Sequence, residues 1–215
     1  PGEPISVSRR DDERTRLSNL FRNNGNYFYR PAYSVYTADS ISEPGKVKVR
    51  LQPDASMPDN AMKQWRLGHL NIVMRKSITE QPTDSFIYPI ISVHYSGKKP
   101  PIKVKALLRD IKLRPKQMYS LSNYTESASI INSMGLFSMS DFTFTPKDTT
   151  DTCSVLDMTL NCIFDKPYDA SLEANFGMKS NDRTGPGLIL GLTKRNAFRG
   201  GEKLTLNIKG SYEWQ

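Results

Sequence analysis

The strict alternation of apolar and polar residues towards the end of the chain constrains the fold more than any other feature. From Lys203 to Trp214, every second residue is apolar or glycine, and the residues between them are polar. The members of the apolar set are Leu204, Leu206, Ile208, Gly210, Tyr212 and Trp214. Successive side chains of a β-strand point to opposite faces, so this spacing predicts a strand with one apolar face. Residues 171–178 and 187–193 alternate in the same way, which predicts an antiparallel sheet.

Two kinds of protein share this pattern. Strands of about ten residues with one apolar face and aromatic ends are typical of transmembrane β-barrels. A soluble meander that packs one face on a core alternates in the same way, and periodicity alone leaves both interpretations open. A transmembrane helix is excluded, because no apolar run approaches the roughly 20 residues that it needs. Turns predicted at Asn181–Gly185 and Arg199–Glu202 separate the strands.

The chain is basic, with 30 Lys and Arg residues against 22 Asp and Glu residues and a net charge of +8. Such a charge occurs in proteins that bind nucleic acids or other anions. The basic residues are spread out, and the densest segment, Lys98–Lys116, also contains apolar residues. A solvated basic face is the first interpretation and an anionic partner the second. The aromatic and basic motifs of RNA-binding folds are absent from the sequence, so we expect no nucleic-acid partner.

No group of residues in the sequence has the spacing of a catalytic or metal site. Cys153 and Cys162 lie in one predicted strand and would be about 30 Å apart when extended, which argues against a disulfide between them. The two histidines, His69 and His94, belong to no metal-binding motif. Gly185–Gly191 resembles a phosphate-binding loop only superficially, because it lies within a strand and starts no helix. We therefore expect no enzyme activity, no metal and no cofactor.

The first part of the chain predicts a helix, a strand, a turn and a second strand. Apolar residues at helical spacing follow Asp11, and the cluster Asn23–Asn26 ends the helix. The aromatic run Tyr27–Tyr36 and the alternating run Lys46–Leu51 predict strands, with a turn at Glu43–Gly45 between them. A helix on a lone hairpin makes a thin sheet, so we expect this domain to be cut at its N-terminus.

The middle of the chain predicts one strand, two helices and two further strands. The strands are Trp65–Met74, Phe137–Phe144 and Cys153–Phe164, and the helices are Ile102–Leu113 and a second one between Ser122 and Gly135. The apolar residues at helical spacing are Val104, Leu107, Leu108 and Ile111 in the first helix and Tyr124, Ala128, Ile131 and Met134 in the second. In the last strand, the residues that share one apolar face are Leu156, Met158, Leu160, Cys162 and Phe164. Residues 76–101 are rich in Pro, Gly and Ser and predict an insertion or a long hairpin. A turn is expected at Pro146–Asp151. Residues 12–51 repeat the end of this order, which predicts a tandem repeat with a truncated first copy.

Three segments resemble POTRA domains. The stretch YSLSNYTESASIINSMGLF at Tyr119–Phe137 resembles the pattern of a POTRA helix and the strand after it, with Met134 at the position where leucine is usual. RLGHLNI at Arg66–Ile72 resembles the opening strand of a POTRA domain. Leu20–Tyr29 resembles the end of a preceding one.

A fourth segment extends the resemblance to a family. TKRNAFRGGE at Thr193–Glu202 is similar to the turn at the start of the barrel in BamA/TamA-type outer-membrane proteins, with Arg199 in place of the commoner glycine. The resemblance is closest to the BamA-like and TamL-like proteins of Bacteroidetes. It covers residues 12–51, 63–75 and 102–214. Residues 76–101 depart from it, because they are longer than the usual POTRA connection.

The resemblance implies an α+β fold class. It implies tandem POTRA repeats, each a small mixed sheet with two helices on one face, followed by antiparallel strands from the start of a β-barrel. The implied parts are the C-terminal end of a POTRA domain at 1–55, a linker at 56–62, a POTRA domain at 63–165 and truncated barrel strands at 166–215.

The resemblance also implies a function at the periplasmic face of the outer membrane. Proteins of this family assemble or transport other proteins, without catalysis and without a cofactor. The implied partners are unfolded outer-membrane or exported proteins and accessory periplasmic or lipoprotein subunits. The outer membrane itself is reached through the barrel of the full-length protein.

Two candidate sites follow from the resemblance. In POTRA folds the strand after the second helix lies at a sheet edge, where backbone groups can add a guest strand. These edge residues are Phe137, Ser138, Met139, Ser140, Asp141, Phe142, Thr143, Phe144 and Thr145. A strand blunted by Asp141 and Pro146 is the alternative, and Phe142 and Phe144 are expected in the core. The turn at the start of the barrel contributes Asn196, Phe198, Gly200, Gly201 and Glu202.

A second function class uses the aromatic run near the N-terminus. A secreted or surface adhesion module could bind glycans on a platform of exposed aromatic rings. Its residues are Tyr27, Phe28, Tyr29, Tyr33 and Tyr36. The burial of these rings distinguishes the platform from the packed face of a hairpin under a helix.

Overall fold

The computed structural model describes residues 7–42, 45–147, 154–178 and 184–212. Helices and several sheets are both present, which confirms the mixed α+β class. The helices are α1 (Val7–Asn23), α2 (Val104–Leu108) and α3 (Leu121–Ser133). The strands are β1 (Ser34–Asp39), β2 (Lys48–Pro53), β3 (Trp65–Arg75), β4 (Asp84–Ile87), β5 (Ile91–Tyr95), β6 (Phe137–Lys147), β7 (Ser154–Phe164), β8 (Tyr168–Met178), β9 (Thr184–Arg195) and β10 (Lys203–Ser211). None of the described helices is long and apolar enough to cross a membrane.

The chain forms two compact units. The first comprises the described residues of Pro1–Leu70, Lys112–Ser127 and Phe144–Thr159, and the second those of Asn71–Ile111, Ala128–Thr143 and Leu160–Gln215. The strands form a two-stranded sheet β1-β2, a five-stranded sheet in the order β4-β5-β3-β7-β6 and a three-stranded sheet in the order β10-β9-β8.

In the first unit, α1 is followed by the antiparallel hairpin β1-β2. Among the described residues the helix starts at Val7, before Asp11. It ends at the predicted asparagine cluster, where Gly25 takes a φ of +99° that side-chain-bearing residues rarely adopt. Buried side chains of this unit include Trp65, Leu67, Leu70, Tyr119, Leu156 and Met158. Of the turn predicted at Glu43–Gly45, the first two residues lie outside the described residues.

The aromatic run does not form the strand that we expected over Tyr27–Tyr36. The strand begins only at Ser34, because Pro31 opens a short 3-10 turn that interrupts the extended backbone. The Tyr29 ring lies 4.4 Å from Phe21 of α1, measured between ring centroids. The position of the aromatic run is therefore set by its packing against α1, although its residues have a high propensity for strands.

In the second unit, residues 76–101 contain a hairpin that extends the five-stranded sheet. β4 and β5 pair antiparallel, with Phe86 opposite Val93. Val93 is fully buried, whereas Ile87 and Tyr88 at the tip of the hairpin are exposed. Other buried residues of this unit include Ile72, Met74, Ile102, Leu107, Ile131 and Leu160.

The first helix expected in the middle of the chain is much shorter than the predicted Ile102–Leu113, since α2 has only 5 residues. The N–H groups of Lys112 and Leu113 donate to the hydroxyl of Ser127 at 2.9 and 3.1 Å instead of forming helical bonds. Ile111 and Leu113 are nevertheless buried. The prediction that these residues are buried is therefore confirmed, and the predicted length of the helix is wrong.

The second helix and the strands around it match the sequence pattern. Ile131 is buried on the predicted apolar face of α3, and Gly135 ends the helix with a φ of +61°. On β7, the alternate residues Leu156, Met158, Leu160 and Cys162 are buried, as predicted. Cys153 and the part of the turn at Pro146–Asp151 beyond Lys147 lie outside the described residues.

The three strands predicted at the end of the chain are present as β8, β9 and β10. Leu172 of β8 lies opposite Leu190 of β9, which in turn lies opposite Ile208 of β10. This register collects the apolar residues of the three strands on one face, except Ile189, which lies between Glu173 and Lys209 on the other. The first part of the turn at Asn181–Gly185 and the end of the last strand from Glu213 onwards lie outside the described residues.

Candidate functional site

The strand predicted to bind proteins, Phe137–Thr145, lies within β6. β6 ends the strand order of the five-stranded sheet and has β7 as its neighbour. Phe137 contacts Phe164 of β7, with ring centroids 4.9 Å apart. The exposed predicted side chains are those of Ser138, Met139, Thr143 and Thr145. The candidate residues thus share one terminal strand, and their binding role stays a prediction.

Two aromatic residues of β6 are engaged in packing. Phe142 is 8% exposed. The Phe144 ring centroid lies 5.4 Å from that of Tyr27 and 5.5 Å from that of Tyr119. The Tyr124 ring is 5.8 Å away from Phe144. These side chains stabilise the strand, so the predicted binding role concerns only its exposed residues and its backbone.

Polar side chains hold the middle of β6 against the rest of the protein. The Asn161 amide of β7 donates to the Asp141 carboxylate at 3.3 Å and to the Thr143 hydroxyl at 3.2 Å. The Ser140 hydroxyl donates to the Asn132 carboxamide oxygen at 2.7 Å. A charged side chain on a terminal strand discourages unselective strand addition. Asp141 therefore supports the blunting interpretation, while the terminal position of β6 supports the binding interpretation.

The turn at residues 196–202, which we call the β9–β10 turn, is closed by the side chains of its first and last residues. The Asn196 carboxamide oxygen accepts the N–H of Gly201 at 3.1 Å. The Glu202 carboxylate accepts the N–H of Gly200 at 3.0 Å. The Glu202 carboxylate accepts hydrogen bonds from backbone N–H groups, foremost that of Glu202 itself, and these bonds hold its pKa below the ordinary value. The turn is therefore preorganised by side chains that the sequence had singled out.

The backbone of this turn is unusual at several positions. Residues with φ in the left-handed region are Asn196 at 54°, Arg199 at 64° and Gly201 at 90°. At Gly200, an added Cβ would collide with the Glu202 carboxylate, so glycine makes room for that acceptor. Phe198 is 69% exposed. The five predicted turn residues are thus brought together, four as parts of the closed loop and Phe198 as a surface aromatic.

Arg199 attaches the turn to the segment before α2, a role that we did not predict from the sequence. Its guanidinium donates to the carbonyl oxygen of Pro100 from Nη2 at 2.7 Å and from Nε at 3.0 Å. Its own carbonyl oxygen accepts the N–H of Lys103 at 2.8 Å. The Asn196 amide adds a bond to the carbonyl oxygen of Pro101 at 2.9 Å. The signal was present in the sequence, since an arginine replaces the commoner glycine of this turn.

A second missed group lies at the start of β8 and the end of β9, which we call the base of the three-stranded sheet. Arg195 forms ion pairs with Asp165 at 2.8 Å and with Asp169 at 3.6 Å. Its guanidinium also donates to the carbonyl oxygen of Lys166 at 3.2 Å. These contacts fix the end of β9 against the segment that joins β7 to β8.

A cavity of about 440 Å³ lies at this base. Its apolar lining includes Pro101, Leu136, Phe164 and Pro167. Its polar lining is mainly basic and consists of Lys76, Asp165, Lys166, Lys194, Arg195 and Asn196. The cavity therefore combines an apolar floor with positively charged side chains.

The apolar face of the three-stranded sheet is exposed along its length. Its rows, starting from the base, are Tyr168, Lys194 and Leu204; Ala170, Leu192 and Leu206; Leu172, Leu190 and Ile208; and Ala174, Leu188 and Gly210. Leu172 is 68% exposed and Ile208 is 53% exposed. On the opposite face, a Cβ at Gly191 would collide with the Ser171 hydroxyl. The two faces thus differ sharply in polarity, and the apolar one is uncovered among the described residues.

The aromatic rings considered as a platform near the N-terminus are buried or half-buried. Tyr29 is 4% exposed, and its hydroxyl lies 2.7 Å from the hydroxyl of Ser34. Phe28 packs edge-on against Trp65, with ring centroids 5.2 Å apart. The remaining members, Tyr27, Tyr33 and Tyr36, are half-buried. None of the five rings is exposed, so the platform of exposed rings that we considered is not formed.

The sequence matches no known protein-family model and no curated protein. Solved structures do resemble the chain. The structure of BamA from Haemophilus ducreyi lacking POTRA domains 1–3 aligns with a TM-score of 0.65 and 13% identity, covering 98% of this chain and 32% of that one. CdiB from Acinetobacter baumannii aligns with a TM-score of 0.45 and 14% identity, covering 98% of this chain and 31% of that one. POTRA1–3 of the periplasmic domain of Omp85 from Anabaena align with a TM-score of 0.37 and 12% identity, covering 77% of this chain and 54% of that one.

The likeness to the BamA structure extends over nearly the whole chain. At 13% identity and a TM-score of 0.65, it shows that the two share a fold. The other two alignments are weaker, with TM-scores of 0.45 and 0.37. The chain spans 32% of the length of the BamA chain that it matches.

Proposed function

We propose that this chain is part of a BamA/TamA-type outer-membrane protein that assembles or transports other proteins. The observation that carries the proposal is the register of β8, β9 and β10, which gathers nearly all of their apolar residues on one exposed face. A soluble meander would bury such a face in a core. A face against lipid needs no protein cover, because hydrocarbon surrounds it. The BamA-like fold supports the same assignment.

In this proposal, the chain lies at the periplasmic face of the outer membrane. Residues 63–165 form a POTRA domain with an inserted hairpin, and residues 1–55 end a preceding POTRA domain. Residues 56–62 link the two, and residues 166–215 begin the barrel. The repeat pattern and the relation to Bacteroidetes proteins of the BamA-like or TamL-like kind rest on the sequence motifs.

The proposed mechanism is non-catalytic and uses no cofactor. A client strand pairs with the edge of β6, where main-chain hydrogen bonds tolerate many sequences. Asp141 gives this edge a negative charge, so basic or small residues are favoured on the guest strand beside it. Unfolded outer-membrane or exported proteins are the proposed clients, and accessory periplasmic or lipoprotein subunits are further partners.

Fluorescence labelling tests the lipid-facing surface. A polarity-sensitive dye is attached to Leu206→Cys on the apolar face or to Asn207→Cys on the opposite face, in a chain with Cys153→Ser. On addition of phospholipid vesicles, we expect the dye at position 206 to shift to the blue and the dye at 207 to change little. Equal responses at the two positions would contradict the assignment of the faces.

Photo-crosslinking tests the client edge separately. A photoreactive amino acid at exposed Met139 of β6 should crosslink to an unfolded outer-membrane β-barrel protein. The matched control places the same group at Ser129, which is exposed on α3. Equal yields at the two positions would disprove strand-edge binding and leave the lipid-facing assignment intact.

A further inference from the structure

The basic cavity at the base of the three-stranded sheet adjoins the apolar face. We propose that this place binds an anionic phospholipid, with its phosphate at Lys166 and Lys194 and an acyl chain along the neighbouring apolar surface. The inference rests on the proposed function, because it takes the apolar face to lie against lipid.

The size and lining of the cavity fit a lipid headgroup. Its volume of about 440 Å³ lies within the range of small-molecule pockets. Leu136 and Phe164 supply apolar lining, while Lys166 and Lys194 supply charge. A phosphate diester with a glycerol backbone presents the same combination of charge and apolar surface.

Lys166 and Lys194 are the basic lining residues nearest the apolar face, where Lys194 stands in the first row. Arg195 is already paired with Asp165 at 2.8 Å and with Asp169 at 3.6 Å. Among the described residues, neither Lys166 nor Lys194 has a carboxylate within ion-pair distance. The Lys194 ammonium instead lies 5.5 Å from the centroid of the Tyr168 ring, over its face. An incoming phosphate would thus meet two cations that form no ion pair with a carboxylate among the described residues, while Asp165 of the same lining is paired with Arg195.

An apolar groove continues from the cavity along the sheet. The groove has a volume of about 370 Å³ and shares Lys194 with the cavity, so the two adjoin. Its apolar lining residues are Tyr168, Ala170, Leu192, Leu204 and Leu206. Ala170 lies opposite Leu192, and its short side chain leaves the depression between larger neighbours.

A membrane lipid uses both parts of this site. A free anion would contact the lysines and leave the groove empty, whereas a phospholipid carries its phosphate and acyl chains on one glycerol. Lysine and tyrosine side chains are also the residues that proteins place at membrane interfaces, with the charged end towards the headgroups. The occupant that fits the charge and the apolar groove together is therefore an anionic phospholipid of the surrounding membrane.

Vesicle flotation tests the inference with the whole 215-residue chain. The vesicles contain phosphatidylcholine alone or equal parts of phosphatidylcholine and phosphatidylglycerol. Each lysine near an anionic membrane surface strengthens binding about five-fold, so Lys166→Gln with Lys194→Gln should weaken binding to the anionic vesicles roughly 25-fold. Binding to phosphatidylcholine alone should stay unchanged.

The matched control removes the same charge from the opposite face. Lys203→Gln with Lys209→Gln has the same net charge as the test variant, but these lysines lie on the polar face of β10. We expect this variant to keep its preference for anionic vesicles. All four lysines are exposed, and far-ultraviolet circular dichroism checks that both variants fold.

The outcomes separate this inference from the proposed function. Equal loss in the two double variants, or equal binding of the natural chain to both kinds of vesicle, would overturn the lipid site alone. Failure to bind either kind of vesicle would overturn the lipid site and the lipid-facing assignment together. A short-chain phosphatidylglycerol should compete with the anionic vesicles, whereas equally effective competition by glycerol phosphate would show a free-anion site and overturn the role of the groove.

Discussion

The guanidinium of Arg199 donates two hydrogen bonds to the carbonyl oxygen of Pro100, at 2.7 and 3.0 Å. The arginine stands in the turn between β9 and β10, and the proline precedes α2. Arg199 also adopts a φ of +64°, which disfavours any residue with a side chain. The bonds to Pro100 compensate for this unfavourable backbone and attach the turn to a distant segment of the second unit.

Replacing Arg199 separates the bonds from the backbone strain. Arg199→Ala removes both hydrogen bonds and keeps the unfavourable φ, so the free energy of unfolding should fall by about 2 kcal/mol. Arg199→Gly loses the same bonds but accepts the φ, so the fall should be about 1 kcal/mol smaller. Urea denaturation measures both variants. Identical losses would contradict the claim that the backbone of this turn is strained.

Acidification should open the β9–β10 turn through Glu202. Hydrogen bonds from backbone N–H groups, foremost that of Glu202 itself, lower the pKa of this carboxylate from the ordinary 4.5. A lowered pKa in the folded state stabilises the turn at pH values above 4.5 and ceases to do so as the pH falls through the lower value. We expect the amide resonances of Gly200 and Phe198 to shift in that acidic range in an NMR titration. Glu202→Gln should abolish the shift, and a midpoint at or above 4.5 would refute the bonding scheme.

The thiol of Cys162 should be inert in the folded protein. Burial in β7, helped by the nearby negative charge of Asp141, raises its pKa to about 12. The reactive thiolate is therefore almost absent near pH 8, and the folded sheet blocks access as well. In a Cys153→Ser chain, mass spectrometry should find slow alkylation by iodoacetamide that becomes fast in urea. Rapid labelling of the folded protein would contradict the burial of this residue.

The aromatic cluster around Phe144 should contribute strongly to stability. Phe144→Ala removes a ring that packs against Tyr27 and Tyr119, so the free energy of unfolding should fall by about 3 kcal/mol. The neighbouring Thr145 is exposed, and Thr145→Ala should change it by less than about 0.5 kcal/mol. A second readout is the pKa of Tyr119, which burial raises and which should drop when the ring beside it is removed. Similar losses in the two variants would show that the cluster is not a core.

Local patterns in the sequence succeeded where one face of an element is buried or exposed as a whole. The alternation along β7 located Leu156, Met158 and Leu160 in the core, and the alternation along β10 located its apolar face. The helical spacing around Ile111 also identified buried positions, but it predicted too long a helix. The Ser127 hydroxyl accepts hydrogen bonds from the N–H groups of Lys112 and Leu113, which a longer helix would have used internally. Nothing in residues 102–113 themselves indicates this.

The sequence by itself determined the strands whose residues alternate strictly, such as β7 and β10, and which side of each is apolar, because a strand repeats every two residues and that period can be read locally. Tertiary structure alone decided which strands are neighbours, that Arg199 reaches Pro100, and that Lys166 and Lys194 line one cavity. These contacts join residues far apart along the chain, and each forms only when the backbone of both segments is already in place. Their free energies therefore depend on the packing of the whole unit, and no short pattern of residues encodes them.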